Sequence, residues 1–418
     1  MDHSSCSNRP HPLHDLAAAG PRRIEGIYLH VPFCRRKCDY CDFYSIVADP
    51  PVQATYVARL AAEMRAARAL VAGPIRTLFI GGGTPTLLAP ELLRSMLAAL
   101  AHAFDLSALE EFTVEANPET VNAERLAVLA VGGVNRFSLG AQSFHPGHLE
   151  TLGRRHKPEN VGRAFARARA AGIEDLNLDL IFAIPGETLA DWQADLDAAL
   201  ALRPTHLSCY GLSIEPGTPL AARCRQRAAD AGGKGVRPLD GGGQTPFPPA
   251  PARAEQSDEG GRLEAAMYEA ALDRLTAAGF EQYEISNFAR PGRRCRHNLL
   301  YWTNADWLGL GPAAASHVGG MRWKNAPDVD SYLHSDALPP VMDVEHLDDD
   351  ARHGEELMLR LRLTEGAPRP WLEERLDARR REAVERHVAD GLLEWTATQL
   401  RLTRRGLLLA NVVMADLI

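Results

Sequence analysis

Three thiols lie within eight residues in His30-Val-Pro-Phe-Cys34-Arg-Arg-Lys-Cys38-Asp-Tyr-Cys41-Asp-Phe-Tyr44. A loop with C-x3-C-x2-C spacing can wrap three thiolates around one inorganic cluster. A [4Fe–4S] cluster usually takes four thiolates. Three would leave one iron open to a small molecule. Arg35, Arg36 and Lys37 lie inside the loop and would favour the thiolate forms. The other reading is a structural zinc site. Zinc takes four protein ligands when closed, and paired C-x2-C units are its usual pattern. His30 or a distant cysteine would have to complete it.

Other residues with chemical potential follow at intervals. Gly81-Gly82-Gly83-Thr84-Pro85-Thr86 comes after an apolar run. Its glycines would let the backbone approach a ligand, with free N–H groups facing carboxylate or hydroxyl oxygens. Tyr28 precedes Cys34 by six residues and could pack near a planar base. Glu115, Gln142, Arg154 and Asp179 each stand at or beyond the end of an apolar run. Arg154 suits a carboxylate partner, and Glu115 and Asp179 could accept bonds from an ammonium or hydroxyls. Farther on is Arg296-His297-Asn298-Leu299-Leu300-Tyr301-Trp302. An exposed neutral imidazole there would be a good iron ligand, beside aromatic rings able to pack on a flat macrocycle. A buried His–Asn pair bracing a domain junction is the structural alternative. Cys295 and His317 are lesser ligand candidates. Cys209 is expected in the core, Cys6 in a tail, and Cys224 next to an insertion.

These positions require a scaffold. Short apolar runs at Ile27–Val31, Ile75–Ile80, Phe112–Ala116, Arg136–Leu139, Leu176–Phe182 and His206–Tyr210 alternate with helical stretches. Pro90 and Pro158 suit a first helical turn, and Gly73 and Gly172 suit helix ends. Six strand–helix units imply a parallel α/β sheet with right-handed crossovers. An incomplete (β/α)6 barrel is expected, with a doubly wound open sheet as the alternative. Cys34, Gly82, Glu115 and Gln142 then gather at the C-terminal ends of the strands, the face where barrel sites sit.

Residues 1–24 read as a flexible polar tail, 25–290 as the barrel, and 228–261 as a disordered Gly/Pro-rich insertion. Residues 291–418 read as a smaller, mostly helical C-terminal domain with a short hairpin at Leu392–Leu402. The chain has 418 residues, 45% hydrophobic and 24% charged, with a formal net charge of −8. That is the composition of a globular protein rather than a nucleic-acid-backbone binder. No apolar run is long enough to span a bilayer. The N-terminus does not read as a secretory signal, and seven cysteines suggest reduced thiols in a cytoplasmic protein.

C-x3-C-x2-C with an aromatic residue before its last cysteine is the signature of radical S-adenosylmethionine (radical SAM) proteins, which the chain resembles from about Gly26 to its C-terminus. The resemblance implies that Cys34, Cys38 and Cys41 hold a [4Fe–4S] cluster whose open iron chelates SAM. Electron transfer from the cluster would then cleave SAM to a 5′-deoxyadenosyl radical. It is closest to the coproporphyrinogen oxidase-like branch. There the positions matching Tyr28, Gly82, Gly83, Thr84, Glu115, Gln142, Arg154 and Asp179 contact SAM.

Two relatives share that framework. The oxygen-independent coproporphyrinogen III oxidase has a fourth cysteine two residues past the third, and a longer N-terminal extension. Phe43 stands at that cysteine position here, and 33 residues precede Cys34. Cys41-Asp42-Phe43-Tyr44 and the H-N-x-x-Y-W string are similar to the HemW-type heme chaperones. This resemblance implies heme as cargo, with His297 as a heme contact, and apo-hemoproteins as acceptors, plausibly of a respiratory chain. No nucleic-acid partner is expected. A peripheral membrane contact and a homodimer are compatible with the resemblance, and SAM cleavage would be a residual capacity. Oxidative decarboxylation of coproporphyrinogen propionates is the alternative.

Overall fold

A computed structural model describes residues 12–18, 20–230 and 258–418. Six parallel strands come first: β1 (Gly26–Val31), β2 (Thr77–Gly82), β3 (Glu111–Ala116), β4 (Arg136–Gln142), β5 (Asp175–Phe182) and β6 (His206–Gly211). Each pairs in register with the next in chain order. The crossovers carry α2 (Pro50–Ala67), α3 (Pro90–Ala103), α4 (Ala123–Val131), α5 (Pro146–Thr151), α6 (Pro158–Ala170) and α7 (Leu189–Ala201), after an N-terminal α1 (Pro12–Ala18). Local chemistry sets the helix starts. Asp49, Asn122 and Thr188 accept backbone N–H groups as N-caps, and Pro50, Pro90, Pro146 and Pro158 occupy first-turn positions.

Side chains alternate across each strand. Leu29, Leu78, Ile80, Phe112, Val114, Phe137, Leu139, Leu176, Leu178 and Leu207 belong to the main apolar core with the helices. The intervening positions are polar: Thr77, Thr113, Ser138, Asn177 and Ser208. They face the interior that the curved sheet encloses. Burial of the outer face drives folding, leaving the inner face to carry polar groups.

The sheet does not end with β6. After α8 (Pro219–Asp230) and α9 (Asp258–Ala277), the hairpin β7 (Glu281–Glu284) and β8 (Asn287–Ala289) adds antiparallel to β6. Then α10 (Arg296–Trp302) leads to β9 (Trp307–Leu310), which pairs parallel to β1. β10 (Ala315–Val318), β11 (Met321–Asn325) and β12 (Val341–His346) continue antiparallel, with α11 (Val329–His334) between the last two. The order is β12-β11-β10-β9-β1-β2-β3-β4-β5-β6-β8-β7, an open sheet of twelve strands among the described residues.

The α/β parallel-sheet class is as expected, but residues 305–346, expected within the smaller C-terminal domain, extend the barrel sheet. Short, mixed strands such as Trp307–Leu310 carry too little periodicity to announce themselves. The helical C-terminal unit comprises α12 (Asp349–Arg362), β13 (Ala367–Pro368), α13 (Arg369–Arg375), α14 (Ala378–Ala389), β14 (Leu393–Trp395), β15 (Gln399–Leu402), α15 (Arg404–Leu408) and α16 (Ala410–Ala415). It has its own core around Leu361, Leu372, Val384, Leu400 and Val413, and β14–β15 is the expected hairpin. Buried Glu284 accepts from Arg362 at 3.2 Å, joining this unit to the barrel.

Within the stretch expected as a polar tail, α1 buries Leu13 and Leu16 in the main core. Residues 231–257 of the expected insertion, and Cys6, lie outside the described residues. Among the described residues no helix is long and apolar enough to cross a membrane.

Candidate functional site at the open end of the barrel

The cysteine loop leaves β1 at its C-terminal end and is tethered on several sides. Cys34 N–H donates to Ile46 O (2.9 Å), and Ile46 N–H to Pro32 O (2.7 Å). Asp39 is the main anchor. Its N–H donates to Leu152 O (3.1 Å), its carbonyl accepts from Leu220 N–H (2.8 Å), and its carboxylate pairs with Arg36 and, at 2.5 Å, with Arg223 of α8. Gly153 has φ +71°, and a Cβ there would lie 2.5 Å from the Asp39 carboxyl carbon, so glycine permits the approach.

The glycine loop is fixed against the same turn. Gly83 N–H donates to Val31 O (2.8 Å) and Thr84 N–H to Phe33 O (2.7 Å). A Cβ on Gly83 would fall 2.7 Å from Phe33 O, and one on Gly82, at φ +102°, 2.6 Å from the His30 ring. These contacts bring Thr84 Oγ1 to 3.6 Å from Cys34 Sγ. Arg154 reaches in from beyond α5, donating to Gly140 O and to Cys38 Sγ at 3.6 Å. Its Nε is buried without a hydrogen-bond partner. Gln142 ends β4 in a left-handed conformation, φ +66°. Its side-chain nitrogen and an Arg154 nitrogen both crowd the space beside Gly140.

Behind the cysteines, the barrel encloses a cavity of about 210 Å³. Tyr28, Glu115 and Asp179 line it together. Glu115 accepts from Gly82 N–H at 3.1 Å, and Asp179 from Ser138 (2.9 Å) and Asn177 (2.8 Å). Tyr28 hydroxyl meets His30 Nδ1 at 3.0 Å. The wall also includes Ser138, Asn177, Ser208 and Tyr210, which sequence reasoning did not single out. The signal was a polar residue every second position in otherwise apolar strands, as in Asn177-Leu-Asp179 and Ser208-Cys-Tyr210.

The electrostatics suit an incoming cation and metal. Burial pushes the Cys41 thiol up to about 11 and raises Cys34, the latter opposed by Thr84 and Ser45. The expectation that Arg35, Arg36 and Lys37 favour the thiolates holds only in part: Lys37 lowers the pKa of Cys41, but burial outweighs it. All three are exposed, and Arg36 pairs with Asp39. Metal coordination, which deprotonates a thiol outright, would supply what these solvated charges do not. Arg154 is the cation in contact. Burial disfavours its charge, but Tyr40 and Cys38 outweigh that. Burial, then Asp179, pushes Glu115 up to about 7.

His30 uses both ring nitrogens, on Tyr28 and on Tyr44 O (2.9 Å). Cys209 is in the core and Cys295 is bonded to Glu111. His30, Cys209 and Cys295 are thus committed elsewhere, and three cysteines alone would leave a bound cluster one open position. Arg154 Nε and Glu115 are groups of the right kind for an amino acid's carboxylate and ammonium.

His297 lies at the opposite end. It is fully buried, with Nδ1 on Thr77 Oγ1 (2.8 Å) and Nε2 on Tyr301 hydroxyl (2.9 Å), and its ring stacks on Phe79. Burial lowers its pKa to about 4. The expectation of an exposed imidazole is therefore corrected: the ring is buried and both nitrogens are bonded within the chain. Cys295 is equally buried, and His317 is bonded through Nδ1 to Ala305 O. The string instead plugs the barrel. Glu111 accepts from Cys295 Sγ (3.3 Å) and from the first amides of α10, Arg296 (2.6 Å) and His297 (3.1 Å). Asn298 and Tyr301 line the cavity from below.

The sequence profile of the Radical SAM superfamily matches residues 28–199. A Mycobacterium tuberculosis protein named heme chaperone HemW is 38% identical over 407 residues, 95% of this chain and 96% of the relative. The chain belongs to the HemW family of radical SAM proteins. A Bacillus subtilis HemW is 35% identical over 93% of this chain and 98% of its own, and an Escherichia coli HemW 35% over 82% and 84%. Among solved structures, Escherichia coli coproporphyrinogen III oxidase (HemN), a radical SAM enzyme, matches with TM-score 0.78 at 22% identity, over 96% of this chain and 92% of that one. It shares the fold. HemW membership also fits Phe43, which stands two residues past Cys41 and is 64% exposed.

Proposed function

We propose that the protein is a heme chaperone that binds heme at the open end of the barrel and passes it to apo-hemoproteins. The similarity to HemW proteins along nearly their whole length carries this reading. Cys34, Cys38 and Cys41 would hold a [4Fe–4S] cluster, with SAM between Arg154 and Glu115. Together those groups supply one-electron reductive chemistry when bound. Thr84 and Arg154 hold the sulfurs of Cys34 and Cys38 by hydrogen bonds.

The mouth also suits a flat apolar cargo. Phe43 and Val47 follow β1, Tyr210 and Ile214 lie at and beyond the end of β6, and all four are exposed. Asp42 raises the pKa of Glu215, so the two segments are neighbours. Exposed apolar groups on two segments beside the cysteine loop suit an interaction surface. Heme would rest against Phe43 rather than on His297.

The test is a heme titration of anaerobically reconstituted protein, read by Soret absorbance after size-exclusion chromatography. Heme should co-elute with the wild type and with folded His297→Ala protein, and should fall several-fold with Phe43→Ser. Protein that emerges without heme, or that decarboxylates coproporphyrinogen III, would overturn the proposal.

A further inference from the structure

Beside the cysteine loop, three residues that none of the chemistry above uses come together. His148 lies on α5, Glu187 in the turn before α7, and Asp195 on α7. They are 6%, 4% and 2% exposed. One ligand atom from each lies within 4.8 Å of the other two. Each also carries a buried polar atom with no hydrogen-bond partner among the described residues: His148 Nδ1, Glu187 Oε1 and Asp195 Oδ2.

Buried polar atoms are nearly always paired, so three residues that converge on one small space and each hold an orphan atom point to a common partner. The carboxylates are also aimed. Glu187 Oε2 accepts from Ile184 N–H at 2.9 Å, and Asp195 Oδ1 from Phe144 N–H at 2.7 Å. In each, one oxygen is fixed by backbone and the other is left over, the arrangement that orients a metal ligand. Burial raises both carboxyl pKa values, Asp195 raises that of Glu187 further and Asp191 raises both, partly offset by hydrogen bonds to each and by His145 beside Asp195. A dication would neutralise the pair. One imidazole and two carboxylates are the donor types zinc accepts.

We propose that His148, Glu187 and Asp195 bind a divalent metal ion of the zinc class, separate from the iron of the cysteine loop. The ion would be structural. It would tie the segment between Gln142 and Arg154 to the segment following β5, and so fix two residues of the open end.

The experiment uses full-length protein with its iron–sulfur cluster reconstituted, so that the cysteines are occupied. After anaerobic incubation with zinc(II) and size-exclusion chromatography, zinc, iron and protein are counted in the same peak. Stoichiometric zinc is expected in the wild type. Asp195→Asn and the near-isosteric Glu187→Gln should weaken zinc binding by more than the ~10–100-fold that losing an outer-shell partner costs, with iron unchanged. Wild type without zinc, or variants that keep as much as wild type, would overturn the proposal; the three residues would then share protons rather than a metal. If a variant fails to fold, the wild type decides: zinc(II) added to chelator-treated, cluster-loaded protein must raise its Tm, and an unchanged Tm rejects the site.

Discussion

The two ends of the barrel use similar residue types to opposite purposes. At the closed end Glu111 collects three donors, His297 spends both nitrogens, and His206 is held by Asn177 (2.6 Å) and Tyr283 (2.9 Å). At the open end Arg154 keeps a buried Nε unpaired, Cys41 is pushed up to about 11 and Glu115 to about 7. The bonded groups at the closed end brace the fold, whereas raised thiols and an unpaired guanidinium nitrogen around the cysteine loop suit a ligand. A histidine among aromatics at the closed end is thus a plug, however much its motif suggests a ligand.

The sharpest way to break this contrast is Cys38→Ser. Iron and sulfide in the purified protein should fall to background while the circular dichroism spectrum stays that of wild type. A Cys38→Ser protein that unfolds would make the open end structural after all. Glu111→Ala probes the other end. It strips the donors of α10 and one of the charges that, against burial, hold the guanidinium of Arg136 protonated. Stranding a buried donor costs about 1–3 kcal/mol, so urea unfolding should show a loss of a few kcal/mol for the donors of Glu111. A loss under ~1 kcal/mol would mean the plug is dispensable.

The smallest effect concerns Glu115. Its carboxyl is raised from an ordinary 4.5 to about 7, so the folded state holds the proton more tightly than the unfolded chain. The stability this gives is full below 4.5 and is lost as pH rises through 7. Glu115→Gln should flatten the fall in unfolding free energy across that window by about 1–2 kcal/mol, discounted for water in the cavity. A slope identical to wild type would show that Glu115 already ionises freely in the empty barrel.

Much of the open end was legible because its signals are local. The cysteine spacing, the glycine run and the residues closing each β-strand fall at predictable places in βα units. The closed end was not. Whether His297 meets iron or Thr77 depends on a contact 220 residues away in sequence, and H-N-x-x-Y-W reads the same in either case. β9 was missed for a similar reason: its four residues are fixed by pairing with β1 rather than by their own pattern. The His148–Glu187–Asp195 group escaped because its members come from two βα units and have no shared spacing.

Asp39 carries a consequence for the life cycle of the site. It holds the cysteine loop to Leu152, Leu220 and Arg223 through backbone and carboxylate, without using any sulfur. None of those tethers requires iron on the thiolates. The ordering entropy of the loop is met during folding rather than at metal insertion. Oxidative loss of a cluster would then leave a receptor still in shape, so that repair is a matter of resupply and not of refolding.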